Sequence, residues 1–333
     1  MVSEIHRYLA RNHCELCKIL GVNATNCISD TQLRRVLTLV DAGLFQEVNA
    51  NYFGFGNQDV PSGCWISYDG KEIRGTIDGI TGEKRGLNIV YPFVHDDKIT
   101  LSGLFYNGLK DSEINCVREL LMSSLAKHAS IFDALHAQHE TLSMIAKVGG
   151  RYIAQFKDNQ KGMLEDFKDS VSITQPFDEQ CSEDKAHGRL EQRKATFYDI
   201  SGICYEPHWQ ACNLSTLVVM ERQSLNVKTQ KSTKEISYYA TNITKEQIDT
   251  KEVFRAIRNH WQIESNNYLR DCTFREDKIQ CFEHKRIKTI SVMISLATNL
   301  FRNNKTKNIK AQTEKINSKP LMANELLKKI KFL

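Results

Sequence analysis

Between Phe254 and Tyr268 five residues, Phe254, Ile257, Trp261, Glu264 and Tyr268, follow at spacings of 3, 4, 3 and 4. Such spacing draws one stripe along an α-helix. Four of the five are apolar or aromatic, so the stripe should face a core. The fifth is a carboxylate, costly to bury unless a cation or a metal compensates it. Pairing with Arg258 or Arg270 at the rim of the core is the simplest answer. The alternative needs other acids elsewhere in the chain that converge on Glu264.

A chain of 333 residues suits one large domain with an insertion or a small second domain. It is 41% hydrophobic, enough for a sizeable core. No apolar run approaches the roughly 18 residues of a membrane span, so no membrane partner is expected. The start, MVSEIHRYLARNH, carries charges where a secretion signal needs an apolar run. The ten cysteines are irregularly spaced and read as thiols of a reducing, cytoplasmic compartment. Cys14 and Cys17 form a close pair with no second pair at zinc spacing, so two cysteines packed on one helix face are expected. The net charge of +5 is mild but uneven: residues 303–333 hold eight lysines against Glu314 and Glu325. A basic C-terminal tail of this kind suits a polyanion, and solvated lysines account for it equally well.

Along the chain, residues 1–58 read as an N-terminal helical region. Apolar positions recur at Ile5, Leu9, Leu16 and Leu20, and Ser29 to Gln32 forms a capping-box start. The helix after it should bury Leu33, Val36, Leu37 and Val40. A shorter one, Leu44 to Phe53, should end at Gly54 and Gly56. The pair resembles a DNA-binding helix-turn-helix, and a helical cap on a larger domain is as consistent.

From Gly63 the pattern turns to strands: GCWISYD closing on an Asp69-Gly70 turn, then LNIVYPFV (87–94) and KITLSGLFY (98–106) as a hairpin. A helix over 112–125, a strand over 129–133, a helix over 138–148 and a strand over 151–157 follow. Residues 170–250 read as a β-rich insertion opening on a polar loop, QPFDEQCSEDKAHG, and a last helix spans 282–302. This order predicts an α/β fold, a mixed sheet with helices on both faces, over 59–302.

Two acids stand where such sheets place their sites. Asp69 ends the first strand and Asp133 follows two buried residues at the carboxyl end of the fourth. With Glu264 they would make a triad of oxygen ligands suited to Mg²⁺ or Mn²⁺. Two such ions, about 4 Å apart, clamp the attacking and leaving oxygens of an in-line displacement at phosphorus. Taken singly, Asp69 is also a turn residue and Asp133 also a helix cap.

The segments YDGKEIRGT, IFDALHAQ, YIAQFKDNQ, HGRLEQR and RNHWQIES with DCTFRED stand in the order found in DDE-class insertion-sequence transposases. The chain resembles most those of the H-repeat-associated type, from about Ser3 to Arg302. The resemblance implies a ribonuclease-H-like core, with the β-rich insertion lying before the last acid. By motif position Asp69 matches the first acid, Asp133 the second and Glu264 the third. The chain departs from the family's usual run at Ser265, Asn267 and Tyr268, is one residue shorter between Glu264 and Asp271, and begins inside the family's N-terminal helical region.

Further residues gain a meaning beside these acids. Lys71, Arg74, Lys157, His187, Arg189, Arg193 and His260 are candidate contacts to DNA, with Asn159 and Gln160 beside Lys157. Each has a plainer alternative: solvated hairpin charges, an ion-pair cluster around Glu191, or a buried, hydrogen-bonded histidine. Trp209 and Trp261 read as core residues. The resemblance implies a bacterial insertion-sequence transposase, nicking double-stranded DNA at element ends and joining it to target DNA with two Mg²⁺ or Mn²⁺ ions. It would work as a nucleoid-associated homo-oligomer on DNA. An inactive relic, a nuclease of the same fold and a non-enzymatic DNA-binding protein stay open as alternatives.

Overall fold

The structure is a computed structural model and describes residues 2–56, 60, 61, 63–78, 85–108, 110–123, 125–186, 188–203 and 205–328. Contacts divide the chain into two compact units. One takes Met1–Val60, Asp69–Cys116 and Gln262–Leu333, the other Pro61–Tyr68 and Val117–Trp261. Strand β1 (Trp65–Ile73) passes from one into the other between Tyr68 and Asp69. Asp69-Gly70 therefore lies within a strand and not at the turn its composition predicts. A Cβ at Gly70 would come within 2.3 Å of the Glu113 carboxyl carbon, so the Glu113 side chain packs over the glycine.

In the first unit β2 (Leu87–Val94) is buried along its whole length. It pairs antiparallel with β3 (Ile99–Thr100) and with β4 (Leu104–Tyr106). The single strand expected over 98–106 is thus two short ones. Gly103 lies in the break, where a Cβ would stand 2.3 Å from the Val90 carbonyl oxygen. Alternate residues of β2, Leu87, Ile89 and Tyr91, face a core shared with Ile287, Ile290 and Ile294 of helix α11 (His284–Asn303).

The N-terminal region forms α1 (Val2–Arg11), α2 (His13–Leu20), α3 (Asp30–Leu39) and α4 (Ala42–Tyr52). Ser29 caps α3 as its sequence predicts, accepting the Gln32 N–H at 3.2 Å. Leu33 and Leu37 are buried in the same core as α11, while Val36 is exposed. Arg286 of α11 donates to the Arg34 carbonyl at 3.3 Å, so α3 packs on α11. On α2, Cys14 is exposed, against the expectation of a packed pair, and Cys17 lies 3.8 Å from the His13 ring. Within the segment expected as a basic tail, residues 309–328 fold as α12 (Ile309–Ser318) and α13 (Leu321–Lys328). Tyr8 of α1 donates to the Ile316 carbonyl at 3.5 Å, and Leu326 is buried.

In the second unit β1 pairs parallel with β5 (Ala129–Phe132), and β5 pairs parallel with β6 (Tyr152–Phe156). Beyond β6 the sheet turns antiparallel through β10 (Ser232–Thr241), β9 (Thr216–Asn226), β8 (Arg189–Asp199) and β7 (Asp178–Ala186). These four long strands fall within the stretch 170–250 expected to be rich in strands. The polar QPFDEQCSEDKAHG, expected as a loop, supplies β7: cross-strand ion pairs such as Lys194 with Glu179 at 2.7 Å make a strand of a segment with little apolar content.

Helices cover both faces of this sheet. On one, Val253, Phe254 and Ile257 of α9 (Thr250–His260) pack on Ile131, Ile153, Phe197 and Val218. On the other, Phe167 of α7 (Lys161–Ile173), a helix absent from the sequence reading, meets Phe156 edge-on at 5.0 Å between ring centroids. Trp209 packs against Phe156 on the same side and is buried, as expected. The architecture is α/β, a mixed sheet with helices on both sides.

Candidate functional site

The stretch from Phe254 to Tyr268 is not one helix. It breaks at Trp261 into α9 and α10 (Gln262–Cys272), where the chain passes between the units. The five-residue stripe is therefore interrupted. Trp261 is 64% exposed and Tyr268 70% exposed, so Trp261 is not the core residue expected. On α10 the buried face is Ile263, Asn266 and Arg270, one residue out of phase with the expected stripe, and Glu264 is exposed. Its carboxylate thus needs no counter-ion on grounds of burial.

Within the first unit, Glu264, Asn267 and Asp271 share one side of α10 at spacings of three and four. Asn267 donates to Asp69 Oδ2 at 2.8 Å. One turn further on, Asp271 lies 2.7 Å from Lys71. Residues two apart on β1 thus meet residues four apart on α10, and Glu264 stands one turn before the residue that grips Asp69. On the other side of Gly70, Tyr106 donates to Glu113 at 3.1 Å. Burial, then Glu113, Cys116 and Asp69, push the Tyr106 phenol far above its usual range.

Lys71, expected at DNA phosphates, is only 6% exposed and is held by Asp277 at 2.6 Å, Asp271 at 2.7 Å and Glu276 at 3.8 Å. Burial by itself would lower its pKa, yet the three acids keep it above the ordinary lysine value. Its charge is spent inside the unit. Arg74 is exposed and stands 3.8 Å from Asp277.

Beside Lys71 lies a fully buried ion pair. Arg270 donates from Nε and Nη2 to the two oxygens of Glu276 at 2.8 and 2.6 Å, and both side chains are 0% exposed. Ser291 and the Tyr91 hydroxyl also accept from Nη2 and Ser295 accepts from Nη1, and the guanidinium lies 4.5 Å from the Tyr91 ring centroid. Burial would raise the Glu276 carboxyl, but Arg270, Lys71 and Ser291 hold it below its usual value.

Within the second unit the Tyr68 and Phe132 rings stack at 5.2 Å between centroids. Each is followed directly in sequence by an aspartate, Asp69 and Asp133. Asp133 turns the chain after β5: its Oδ1 accepts the N–H groups of Leu135 at 3.1 Å and His136 at 3.4 Å, leaving Oδ2 outside that turn. The Asn159 amide donates to the Ala134 carbonyl at 2.6 Å and that of Gln160 to the Ala137 carbonyl at 3.1 Å. These two bonds tie the loop after β6 to the loop of Asp133.

His260 shares a hydrogen bond of 2.9 Å with Ser67. Burial pushes its pKa down to about 4, with Asp133 pulling the other way and His136 and Lys157 adding to the fall. The ring is neutral at pH 7. Asp133, Lys157 and His260 are thus electrostatic neighbours in one unit, and Lys157 is exposed. Arg189 is exposed on the insertion. Arg193 is paired with Asp184 at 2.8 Å and with Glu191. His187 lies outside the described residues.

Among the described residues no group of three or more His, Cys, Asp or Glu side chains stands ready to hold a metal ion. That does not exclude Mg²⁺ chemistry, because Mg²⁺ usually keeps several waters and takes only one or two carboxylates besides substrate phosphates. The donors fit such an ion: Asp69 and Asp133 carry carboxylate oxygens, each accepting from neutral N–H donors. Sequence reasoning missed Asn267, Ser67 and Glu113, although Asn267, one turn after Glu264, carried a signal as a departure from the family run. Glu113 carried none. No helix among the described residues is long and apolar enough to cross a membrane.

Comparison with known proteins follows the same path. No family model matches the chain. It is 27% identical over 282 residues to the putative transposase YncI of Escherichia coli O157:H7, covering 82% of this chain and 70% of that protein. It is 23% identical over 291 residues to the H repeat-associated putative transposase YhhI of Escherichia coli K12, covering 84% of this chain and 74% of the relative. The putative protein YbfL of the same strain is 24% identical over the same shares. The chain is thus related, along most of its length, to the H-repeat-associated putative transposases.

Proposed function

We propose that this protein is a DDE-type transposase with a ribonuclease-H-like core, which nicks DNA at the ends of an insertion sequence and joins the freed 3′-hydroxyl to target DNA. What carries the reading is the relationship to proteins named as transposases over 82–84% of the chain. The stacked Tyr68 and Phe132, each followed by an aspartate, support the choice of the first two acids. Asn267, bonded to Asp69 and one turn from Glu264, supports the third.

In this reading Asp69, Asp133 and Glu264 hold Mg²⁺ or Mn²⁺, two ions in the working enzyme. Bound there, such ions polarise the scissile phosphate and make water or a 3′-hydroxyl a better nucleophile. The protein's own groups do the positioning. Asn267 fixes the Asp69 carboxylate through Oδ2 and the Leu135 and His136 N–H groups fix that of Asp133 through Oδ1. His260, neutral and tied to Ser67, adds a hydrogen-bonding group beside Asp133 without a cation that would compete with the metal. Exposed Arg74, Lys157 and Arg189 are the cations available to the DNA backbone. Both reactions are in-line displacements at phosphorus, so one site serves nicking and joining, on a homo-oligomer that brings two element ends together.

Incubation with supercoiled plasmid and Mg²⁺ tests the reading. Nicking is expected that EDTA stops and that Glu264→Gln abolishes, with joined products once the terminal repeats are supplied. Nicking that survives in Glu264→Gln would remove that residue from the chemistry. Nicking without joining would make the protein a nuclease.

A further inference from the structure

Along the body of the insertion the charges are matched. Arg193 pairs with Asp184 and Glu191, Arg222 with Glu191, Lys194 with Glu179 and Lys234 with Glu221. At the strand ends the matching stops. The turn between β7 and β8 lies beside the turn between β9 and β10: Arg189 is opposite Asn226, and the Val227 N–H donates to the Gly188 carbonyl at 2.9 Å. Residues 185–190 and 226–233 contain Lys185, Arg189, Lys228 and Lys231 and no acid. All four cations are exposed, and no ion pair engages them among the described residues.

The second turn is built to hold its shape. Asn226 Oδ1 accepts the N–H groups of Lys228 and Thr229, both at 3.0 Å. Gln230, in the left-handed region at φ 56°, returns its N–H to the Asn226 carbonyl at 2.8 Å, and its side chain donates to the Val227 carbonyl at 2.8 Å. Asn226 N–H closes the turn on the Lys231 carbonyl at 2.9 Å. Cations held close on a fixed backbone repel each other, in a sheet that neutralises cations elsewhere. A rigid, acid-free cationic end is complementary to a polyanion that passes over it.

We propose that the joined turns of the insertion are a contact to the backbone of duplex DNA, made by Lys185, Arg189, Lys228 and Lys231 together. Lys228 and Lys231 lie in none of the motifs that carry the resemblance, so the proposed contact adds to Arg189 a hold on the duplex by its phosphates, without reading sequence. It rests on the reading of the protein as one that acts on DNA. Leu190 and Val227, each 41% exposed at the same end, are too small an apolar surface to make a lipid bilayer the better partner.

The test measures binding without chemistry. A fluorescein-labelled duplex of random sequence is titrated in EDTA at several salt concentrations, with wild type, Lys228→Ala/Lys231→Ala and a charge-matched control, Lys168→Ala/Lys251→Ala. These lysines are exposed, so melting curves of all three proteins should coincide. Each lost phosphate contact flattens the log–log salt slope by about 0.9, so the tip variant should lose about 1.8 while the control keeps the wild-type slope. A tip variant with the wild-type slope overturns the inference and leaves the catalytic reading standing. Wild type that binds no duplex overturns both. Binding to phosphatidylserine–phosphatidylcholine vesicles that outlasts duplex binding, and that the tip variant loses, overturns the assignment to DNA in favour of a membrane.

Discussion

The ion pair of Arg270 and Glu276 offers a perturbation whose size follows from the structure. Removing one partner leaves the other charge in a fully buried site. Arg270→Met strands the Glu276 carboxylate, with Lys71 at 3.8 Å as its remaining counter-charge. Glu276→Gln strands a guanidinium whose other partners are neutral hydroxyls and a carbonyl. Breaking a buried pair costs about 3–5 kcal/mol. Arg270→Met should fall at the lower end because Lys71 screens the acid, and Glu276→Gln at the upper. Removing both charges, Arg270→Met with Glu276→Gln, gives back the desolvation cost of two ions and should cost less than either single change. The double-mutant cycle should therefore show a coupling of at least about 3 kcal/mol. Hydrogen exchange read by mass spectrometry on peptides of α10 and α11 is the suitable assay. Arg270 lies on α10 and bonds Ser291 and Ser295 of α11, and all three tryptophans, Trp65, Trp209 and Trp261, belong to the other unit. Singles that cost under about 1 kcal/mol, or a double variant as destabilised as the sum of its singles, would refute the argument.

Two further outcomes are expected. His260 has a folded-state pKa pushed down to about 4 by burial, below its ordinary value, so the unfolded chain binds its proton more tightly. Its contribution is present in full above about pH 6.5 and is lost as pH falls towards 4. It amounts to roughly 3 kcal/mol at most and to less for a group only half buried. Urea midpoints across this window should fall less steeply in His260→Asn than in wild type, and equal slopes would contradict the burial argument. Two neighbouring glycines should differ: Gly150→Ala puts a Cβ 1.8 Å from the Ala126 carbonyl oxygen and should cost at least about 2 kcal/mol. Gly149→Ala meets only the left-handed backbone at φ 72° and should cost about 1 kcal/mol in the same melts.

Much of the fold was legible where side-chain period and burial agree. The strand 87–94, buried along its length, and the helices around 112–125 and 282–302 stand within a few residues of their expected bounds. Period misled where charge pairing replaced apolar content, as in β7, and where one motif served two elements. The stripe through Glu264 reads as continuous because Phe254 and Ile257 are buried on α9. α10 then restarts its own phase on Ile263, Asn266 and Arg270. The role of Gly70 was misread for a related reason. Asp-Gly is ordinary turn chemistry, and the Glu113 carboxyl that packs over Gly70 comes from 43 positions away. Of the candidate site, Asp69, Asp133 and Glu264 were picked out by their motifs, and the reach of Asn267 to Asp69 was not legible. Lys71 looked like a phosphate contact because sequence shows its charge and not the three acids that the fold brings around it.

The central claim is that Asp69, Asp133 and Glu264 hold the metal together, and Asp133→Asn tests it most directly. Asparagine keeps the Oδ1 that accepts the Leu135 and His136 N–H groups, so the turn survives and only the charge is removed. Thermal melts of wild type and Asp133→Asn, each with and without Mg²⁺, are the measurement. Mg²⁺ binds the folded protein alone and should raise the wild-type midpoint by mass action, by about 2.7 kcal/mol of stability at one hundred times the dissociation constant. Asp133→Asn should melt no lower than wild type without metal and should lose most of the Mg²⁺ shift. Equal Mg²⁺ shifts in the two proteins would contradict the account, because Asp133 would then be a turn residue and not a ligand.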